Sequence, residues 1–335
     1  AVRYHGVSPA GAASGTSYSD VFARTVLRLA REDPRVVAIT AAMLSGTGLE
    51  LVAKEFPQRV FDVGICEQHA VTMAAGLASQ GYVPIVAVYS TFLQRAFDQI
   101  VHDVCLQKLP VIFALDRAGI VGDDGKTHQG TFDLSYLGLI PNLVVAAPAD
   151  EDELQHLLYT ATRAGAPMAI RYPRGLGPGV PLSAELRELP VGQGAVLREG
   201  RDLAIVALGA TVMPSLQAAE ALAFGGVQAT VVNARFAKPL DEGLLRDVAR
   251  ATGRVLTVEE NTLWGGFGSR VRGCLSGMPG LQVERLGLPD SFIEHGSQEQ
   301  LRARYGLDAE GIMRRVREAF PELAPAPSSS SMGTP

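Results

Sequence analysis

Three stretches in the first half of the sequence carry polar and ionisable side chains at spacings that could support chemistry. The first is Phe61-Asp62-Val63-Gly64-Ile65-Cys66-Glu67-Gln68-His69-Ala70, where a strand-like run gives way to an apolar helix. Glu67 sits among Val63, Ile65, Ala70 and Val71. In such an apolar niche a carboxyl can be held protonated and donate a hydrogen bond. The same glutamate can equally be a first-turn acid that complements the helix dipole. The second stretch runs from Tyr89 to Gln99 and on to His102 and Asp103. Helical spacing would put Phe92, Arg95, Gln99 and His102 on one face, with Ser90 or Thr91 as the cap. An aromatic ring beside a strand end can stack on a flat heterocycle, or it can be plain core.

The third stretch, from Asp116 to Gly130, is a long polar loop punctuated by glycine. Compact domains keep few such loops without a use. Arg117, Asp124 and His128 offer an anion clamp, an acceptor and an imidazole, the side-chain type suited to proton transfer near neutral pH. The loop does not match GxxxxGK[ST], which excludes a P-loop. Asp123, Asp124 and His128 have no recognised metal-ligand spacing. Arg174, in Tyr172-Pro173-Arg174-Gly175, follows another strand end. Together with Arg117 it would suit a phosphate or a carboxylate.

The elements that position these residues alternate between short apolar runs and helical periods, the pattern of an α/β fold with mostly parallel sheets covered by helices. Strands are expected at 36–40, 84–89, 111–115, 143–147 and 168–172, and helices at 20–32, 70–80, 91–107 and 151–164. Asp150 can cap the last helix, with Glu153 closing a capping box. Glycine and proline crowd residues 172–193 and end the first domain there. A second set of strands is expected at 203–208, 229–233, 255–259 and 282–286, with helices at 211–224, 241–251, 267–275 and 309–320. Ser297 and Gln300 form a capping box, and Gly306 suits a left-handed helix end. The division that follows is a flexible segment at 1–17, a first domain at 18–175, a linker at 176–194, a second domain at 195–320 and a disordered tail at 321–335.

Composition restricts the partners. The sequence has 335 residues, enough for two domains. Charged residues are 19% against roughly 25% in an average soluble domain, which points to extensive burial or an oligomer interface. A net charge of −5 with no basic tract argues against nucleic acid. Three scattered cysteines suggest neither disulfides nor zinc. No run is long and apolar enough for a membrane span, and a cytoplasmic protein is expected.

At 62–75, 87–103 and 116–136 the sequence resembles the thiamin-diphosphate enzymes of the transketolase type. In order and spacing it is most similar to the family that condenses pyruvate, with loss of CO2, and D-glyceraldehyde 3-phosphate into 1-deoxy-D-xylulose 5-phosphate, a precursor of isoprenoids, thiamin and pyridoxal. The likeness continues through 171–175 and, more weakly, through 259–261 and 265–268, and so covers nearly all of 18–320. It implies a pyrimidine-binding domain followed by a transketolase C-terminal domain. By this resemblance Glu67 hydrogen-bonds N1′ of the cofactor aminopyrimidine, Phe92 stacks on that ring with Arg95 beside it, and Ile65 belongs to the same pocket. Tyr89, Arg117 and Arg174 correspond to phosphate contacts, while Asp124 and His128 correspond to groups that orient hydroxyls and move protons. His5 is similar to an active-site histidine that precedes this domain.

The family holds the diphosphate and Mg2+ on an N-terminal domain with a GDG motif, and this sequence has no such motif. Gly122-Asp123-Asp124-Gly125 lies in the substrate loop instead. The resemblance therefore implies a chain that binds no metal itself and is inactive alone. Its site would be completed by a diphosphate-binding domain, present as a separate chain or as a removed segment, within a homodimer. Alternatives from the same sequence are the C-terminal subunit of a split transketolase, the β subunit of a 2-oxoacid dehydrogenase, and a non-catalytic dimerisation module.

Overall fold

The computed structural model describes residues 15–323. His5 lies outside them, as does most of both terminal segments.

The first half folds as α1 (Tyr18–Glu32), β1 (Val36–Thr40), α2 (Glu50–Glu55), β2 (Val60–Asp62), α3 (Glu67–Ser79), β3 (Val83–Tyr89), the short α4 (Ser90–Leu93) and α5 (Phe97–Gln99), β4 (Ile112–Asp116), α6 (Asp133–Gly138), β5 (Val144–Ala146), α7 (Glu151–Arg163) and β6 (Met168–Arg171). The second half continues with β7 (Ala195–Arg198), β8 (Leu203–Ala207), α8 (Val212–Phe224), β9 (Ala229–Asn233), β10 (Phe236–Lys238), α9 (Glu242–Thr252), β11 (Arg254–Thr262), α10 (Phe267–Cys274), β12 (Gln282–Leu288), α11 (Gln298–Tyr305) and α12 (Ala309–Ala319). Two sheets result, ordered β10-β5-β6-β4-β3-β1-β2 and β12-β11-β8-β9-β7. All pairings are parallel except β10 on β5 and β7 on β9.

The central strands are apolar on both faces because both faces are covered. Val36, Ala38, Ile85 and Ala87 point into one core with Tyr18, Phe22, Leu154 and Leu157 of α1 and α7. The alternate residues Ile39, Val86 and Val88 point into the other, with Ala70 and Ala74 of α3. That second core runs on into Val206, Leu245 and Phe267, so the two domains share it. β10, although it follows the linker, adds to the first sheet. The seam is also polar: Glu153 of α7 accepts hydrogen bonds from Asn233 and Arg235.

Helix starts follow the capping residues. Ser17 and Ser297 make full capping boxes, and Asp150, Asp241 and Asp308 each accept from a first-turn amide. Gly306 ends α11 at φ 71°. Glu153 departs from the expected box, since its carboxylate takes the amide of Ala149 instead of that of Asp150. The larger departure is at 91–107, which is not one helix. It breaks into α4, a 3-10 turn at Gln94–Ala96, α5 and a π-helical stretch at Ile100–Cys105. The even spacing that would put Phe92, Arg95, Gln99 and His102 on one face is therefore lost, and an expectation built on 3.6 residues per turn fails where the turns alternate between tight and wide.

Candidate active site

Glu67, Tyr89, Arg117 and Arg174 lie at or just beyond the carboxyl ends of parallel strands, where ligands bind in open α/β sheets. Glu67 follows β2, Tyr89 ends β3, Arg117 follows β4 and Arg174 follows β6, and these strands are neighbours or near neighbours in the sheet.

Glu67 is buried, as expected, but its surroundings are not purely apolar. Arg95, half exposed, donates from Nη1 to its Oε1 at 2.8 Å. The other oxygen, Oε2, is buried and has no hydrogen-bond partner. The Arg95 guanidinium lies 4.9 Å from the centroid of the Phe92 ring, which in turn stacks with Tyr89 at 5.8 Å. His128 meets Phe92 edge-on at 5.4 Å, with its Nδ1 2.9 Å from the Thr127 hydroxyl. Arg117 lies over the other end of this row, 3.8 Å from the Tyr89 centroid. A continuous line of stacked groups therefore joins Glu67 to Arg117. Ile65, two residues before Glu67, is largely exposed.

Arg117 adopts φ 61°, a left-handed conformation that a bulky residue rarely takes and that is stored at functional sites. Its guanidinium is held there by Asp116 at 3.0 Å and by the carbonyl of Gly46 at 3.0 Å. Burial pushes the Asp116 carboxyl up from its ordinary value, against the pull of Arg117 and the hydroxyl of Ser19. Gly46 has no room for a side chain, because a Cβ would run into the Tyr89 hydroxyl. Burial also raises the Tyr89 hydroxyl, and Arg117, Asp116, Asp124 and Arg174 all act on it. Asp124 and Arg174 complete the cluster through an ion pair of 3.1 Å.

Gln99 keeps a buried Oε1 without a hydrogen-bond partner. His102 is exposed and turns to Asp103. Ser90 does not cap a helix; its hydroxyl donates to Asp133, which also takes Nε of the buried Arg171 at 2.9 Å. Arg171 reaches on to the carbonyl of Glu260 in the second domain. Sequence reasoning passed over Gly46, Ser19, Asp133 and Arg171. The small-residue run Ser45-Gly46-Thr47-Gly48 was a signal for the first. The remaining three act through long-range partners that no local pattern announces. Among the described residues, no group of three or more His, Cys, Asp or Glu side chains converges to hold a metal, and no helix is long and apolar enough to cross a membrane.

Comparison with known proteins adds the following. The model of the transketolase pyrimidine-binding domain matches residues 14–179, and that of the transketolase C-terminal domain matches residues 192–312. The chain is 56% identical over 340 residues to 1-deoxy-D-xylulose-5-phosphate synthase 1 of Geobacter sulfurreducens, covering 98% of this chain and 53% of that protein. It is 58% identical over 301 residues to 1-deoxy-D-xylulose-5-phosphate synthase of Thermomicrobium roseum, covering 89% of this chain and 48% of that protein. The chain thus spans about half the length of these curated relatives. A split-gene transketolase solved as an inactive β4 tetramer superposes with a TM-score of 0.81 at 35% identity, covering 92% of this chain and 99% of that one. A transketolase from Campylobacter jejuni shares the fold at a TM-score of 0.74 and 21% identity, covering 93% of this chain and 48% of that one.

Proposed function

The chain belongs to the transketolase family, and on that premise we propose that it supplies the pyrimidine-binding and C-terminal parts of a synthase. That synthase would join pyruvate, with loss of CO2, to D-glyceraldehyde 3-phosphate, giving 1-deoxy-D-xylulose 5-phosphate. One observation carries the reading: a buried, half-satisfied carboxylate at one end of an aromatic row, and two arginines with an aspartate and a histidine at the other. The identity to curated synthases over nearly the whole chain supports it.

The residues fit thiamin diphosphate. The unpartnered Oε2 of Glu67 is an orphaned buried atom of the kind that a ring nitrogen of a bound group would satisfy. Phe92, linked to Glu67 through Arg95, offers an aromatic ring, and Ile65 offers an exposed apolar side chain. When bound, the cofactor supplies the electron sink for decarboxylation and the carbon nucleophile. Glu67 holds or releases the hydrogen-bonded proton at Oε2, while Arg95 fixes its other oxygen. Arg117 and Arg174 draw in the phosphate and orient the aldehyde, and Arg174 exchanges Asp124 for that phosphate. His128, whose Nδ1 is engaged by Thr127, is left with Nε2 to move a proton at the acceptor oxygen. On the same reading a diphosphate-binding domain with a GDG motif holds the diphosphate and Mg2+, the working assembly is a dimer, and this chain alone is inactive.

The test is Arg174→Ala in the assembled enzyme. Removing one charge-assisted contact should raise KM for D-glyceraldehyde 3-phosphate by roughly tenfold or more, with KM for pyruvate unchanged. An unchanged aldehyde KM would remove the phosphate clamp. A second reading, the C-terminal subunit of a split transketolase, rests on the 99% coverage of the split-gene chain. Release of CO2 from pyruvate distinguishes the two, because only the synthase decarboxylates its donor.

A further inference from the structure

Both segments that carry the proposed phosphate clamp are tied to one side chain of the second domain. Gln298, the first residue of α11, donates from Nε2 to the carbonyl of Ile120 at 2.7 Å and to the carbonyl of Arg174 at 3.2 Å. An amide nitrogen has two hydrogens, so one side chain can serve both carbonyls. Ile120 follows Arg117 in the glycine-punctuated loop, and Arg174 is the other arginine of the clamp. The two segments, joined inside their own domain by the Ala118 amide donating to the Tyr172 carbonyl at 3.0 Å, are thus tied a second time from outside it.

The contact is built rather than incidental. α11 begins with the Ser297 and Gln300 capping box, which fixes the place where Gln298 leaves the backbone. One turn on, Arg302 forms an ion pair with the buried Glu260 of β11 and anchors the helix to the second sheet. Beneath Gln298 the loop is pressed close. A Cβ on Gly122, at φ 93°, would stand 3.0 Å from both the backbone nitrogen of Gln298 and the carbonyl of Gly296. Gln129, within the same loop, accepts from Val121 through Oε1 and donates to the carbonyl of Glu294 at 3.0 Å. Residues 294–298 thus wall the loop, and Gln298 is the only side chain among the described residues that donates to both clamp segments at once.

We propose that Gln298 is the positioning residue of the phosphate clamp, so that the second domain determines how well the site distinguishes a phosphorylated from an unphosphorylated aldehyde. This rests on the reading that Arg117 and Arg174 bind the phosphate. A guanidinium must meet a phosphate oxygen within a few tenths of an ångström for a charge-assisted bond to form, so a loop released from its tie loses affinity without losing its charges.

Two measurements test it. In this chain as it stands, Gln298→Leu, which keeps the bulk and removes the donors, should speed hydrogen exchange in 119–126 and 173–177 by about tenfold and leave 63–72 unchanged. In the enzyme assembled with its diphosphate-binding domain, the same variant should raise KM for D-glyceraldehyde 3-phosphate by roughly five- to tenfold while KM for unphosphorylated D-glyceraldehyde and for pyruvate stay put. Gln298→Glu, which sets a carboxylate against two carbonyls, should be worse than Gln298→Leu on both counts. Unaltered exchange in both clamp segments, or equal losses with both aldehydes, would overturn the proposal. If Arg174→Ala also leaves the aldehyde KM unchanged, the clamp reading itself has failed; if only Gln298→Leu is silent, the positioning role alone has.

Discussion

Glu67 and Glu259 are both glutamates withdrawn from water at the mouth of a helix, one in each domain. Glu259 is fully buried, and its two oxygens accept the amides of Phe267 and Gly268 at the start of α10, each at 2.7 Å. Nothing is left over for a ligand. Glu67 opens α3, gives one oxygen to Arg95 and leaves the other buried without a partner. A buried carboxylate oxygen without a hydrogen bond is costly, and folded proteins rarely keep one unless something else completes it. The same residue type is thus closed into the architecture in one domain and left with an unpartnered oxygen in the other.

The largest expected contrast is in turnover. Glu67→Gln in the assembled enzyme should lower kcat by about two to four orders of magnitude, the range for removing a group that handles a proton in the reaction. Its effect on stability should stay within about 1 kcal/mol, because glutamine keeps a side-chain oxygen to accept from the half-exposed Arg95. Kinetics with parallel denaturant melts measures both. Normal turnover with a large loss of stability would make Glu67 the structural member of the pair.

Glu259 should show the reverse profile, visible as a pH dependence of folding. Burial raises its carboxyl from the ordinary 4.5 to about 7, although two backbone amides pull the other way. Below pH 4.5 the folded and unfolded chains both hold the proton. Between 4.5 and 7 the folded chain keeps it and the unfolded chain has lost it, so the stabilisation present at low pH is lost as pH rises through that window. The decline attributable to this group is at most about 3 kcal/mol. Denaturant midpoints from pH 5 to 8 should therefore fall less steeply in Glu259→Gln than in the parent chain, while kcat of the assembled variant responds only through stability. Parallel slopes for the two proteins would dismiss this account.

The contrast also explains how much could be read from sequence. The strands at 36–40 and 229–233 were legible to the residue, because a run apolar on both faces is a local property. So were Ser297, Gln300 and Gly306, whose capping roles depend on neighbours three or four residues away. At the site, the position of Glu67 and its burial were accessible, but Arg95 as its partner was not, since 28 residues of chain and a broken helix separate them. The 3-10 and π segments at 94–105 escaped because alternating helix pitch is imposed by packing rather than by composition. Gln298 was not singled out, and its partners lie 124 and 178 residues away. Local rules found residues that cluster at the strand ends and missed the long-range ties that hold them.

The smallest expected difference concerns the helix starts themselves. Away from the site, α12 is closed by Asp308, whose side chain accepts from the amide of Gly311 at 2.8 Å. At the site, α3 starts from Cys66, an exposed residue with φ −143° and ψ 65° that makes no side-chain cap. Asp308→Ala removes an acceptor from a first-turn amide and should cost about 1 kcal/mol. Cys66→Ala removes no bond and little packing, so its cost should fall within about 0.5 kcal/mol of zero. Urea denaturation of the two variants beside the parent chain measures the difference. Were Cys66→Ala to cost as much as Asp308→Ala, the thiol would be supporting the start of α3 after all, and the helix that carries Glu67 would be as firmly closed as the one at the end of the second domain.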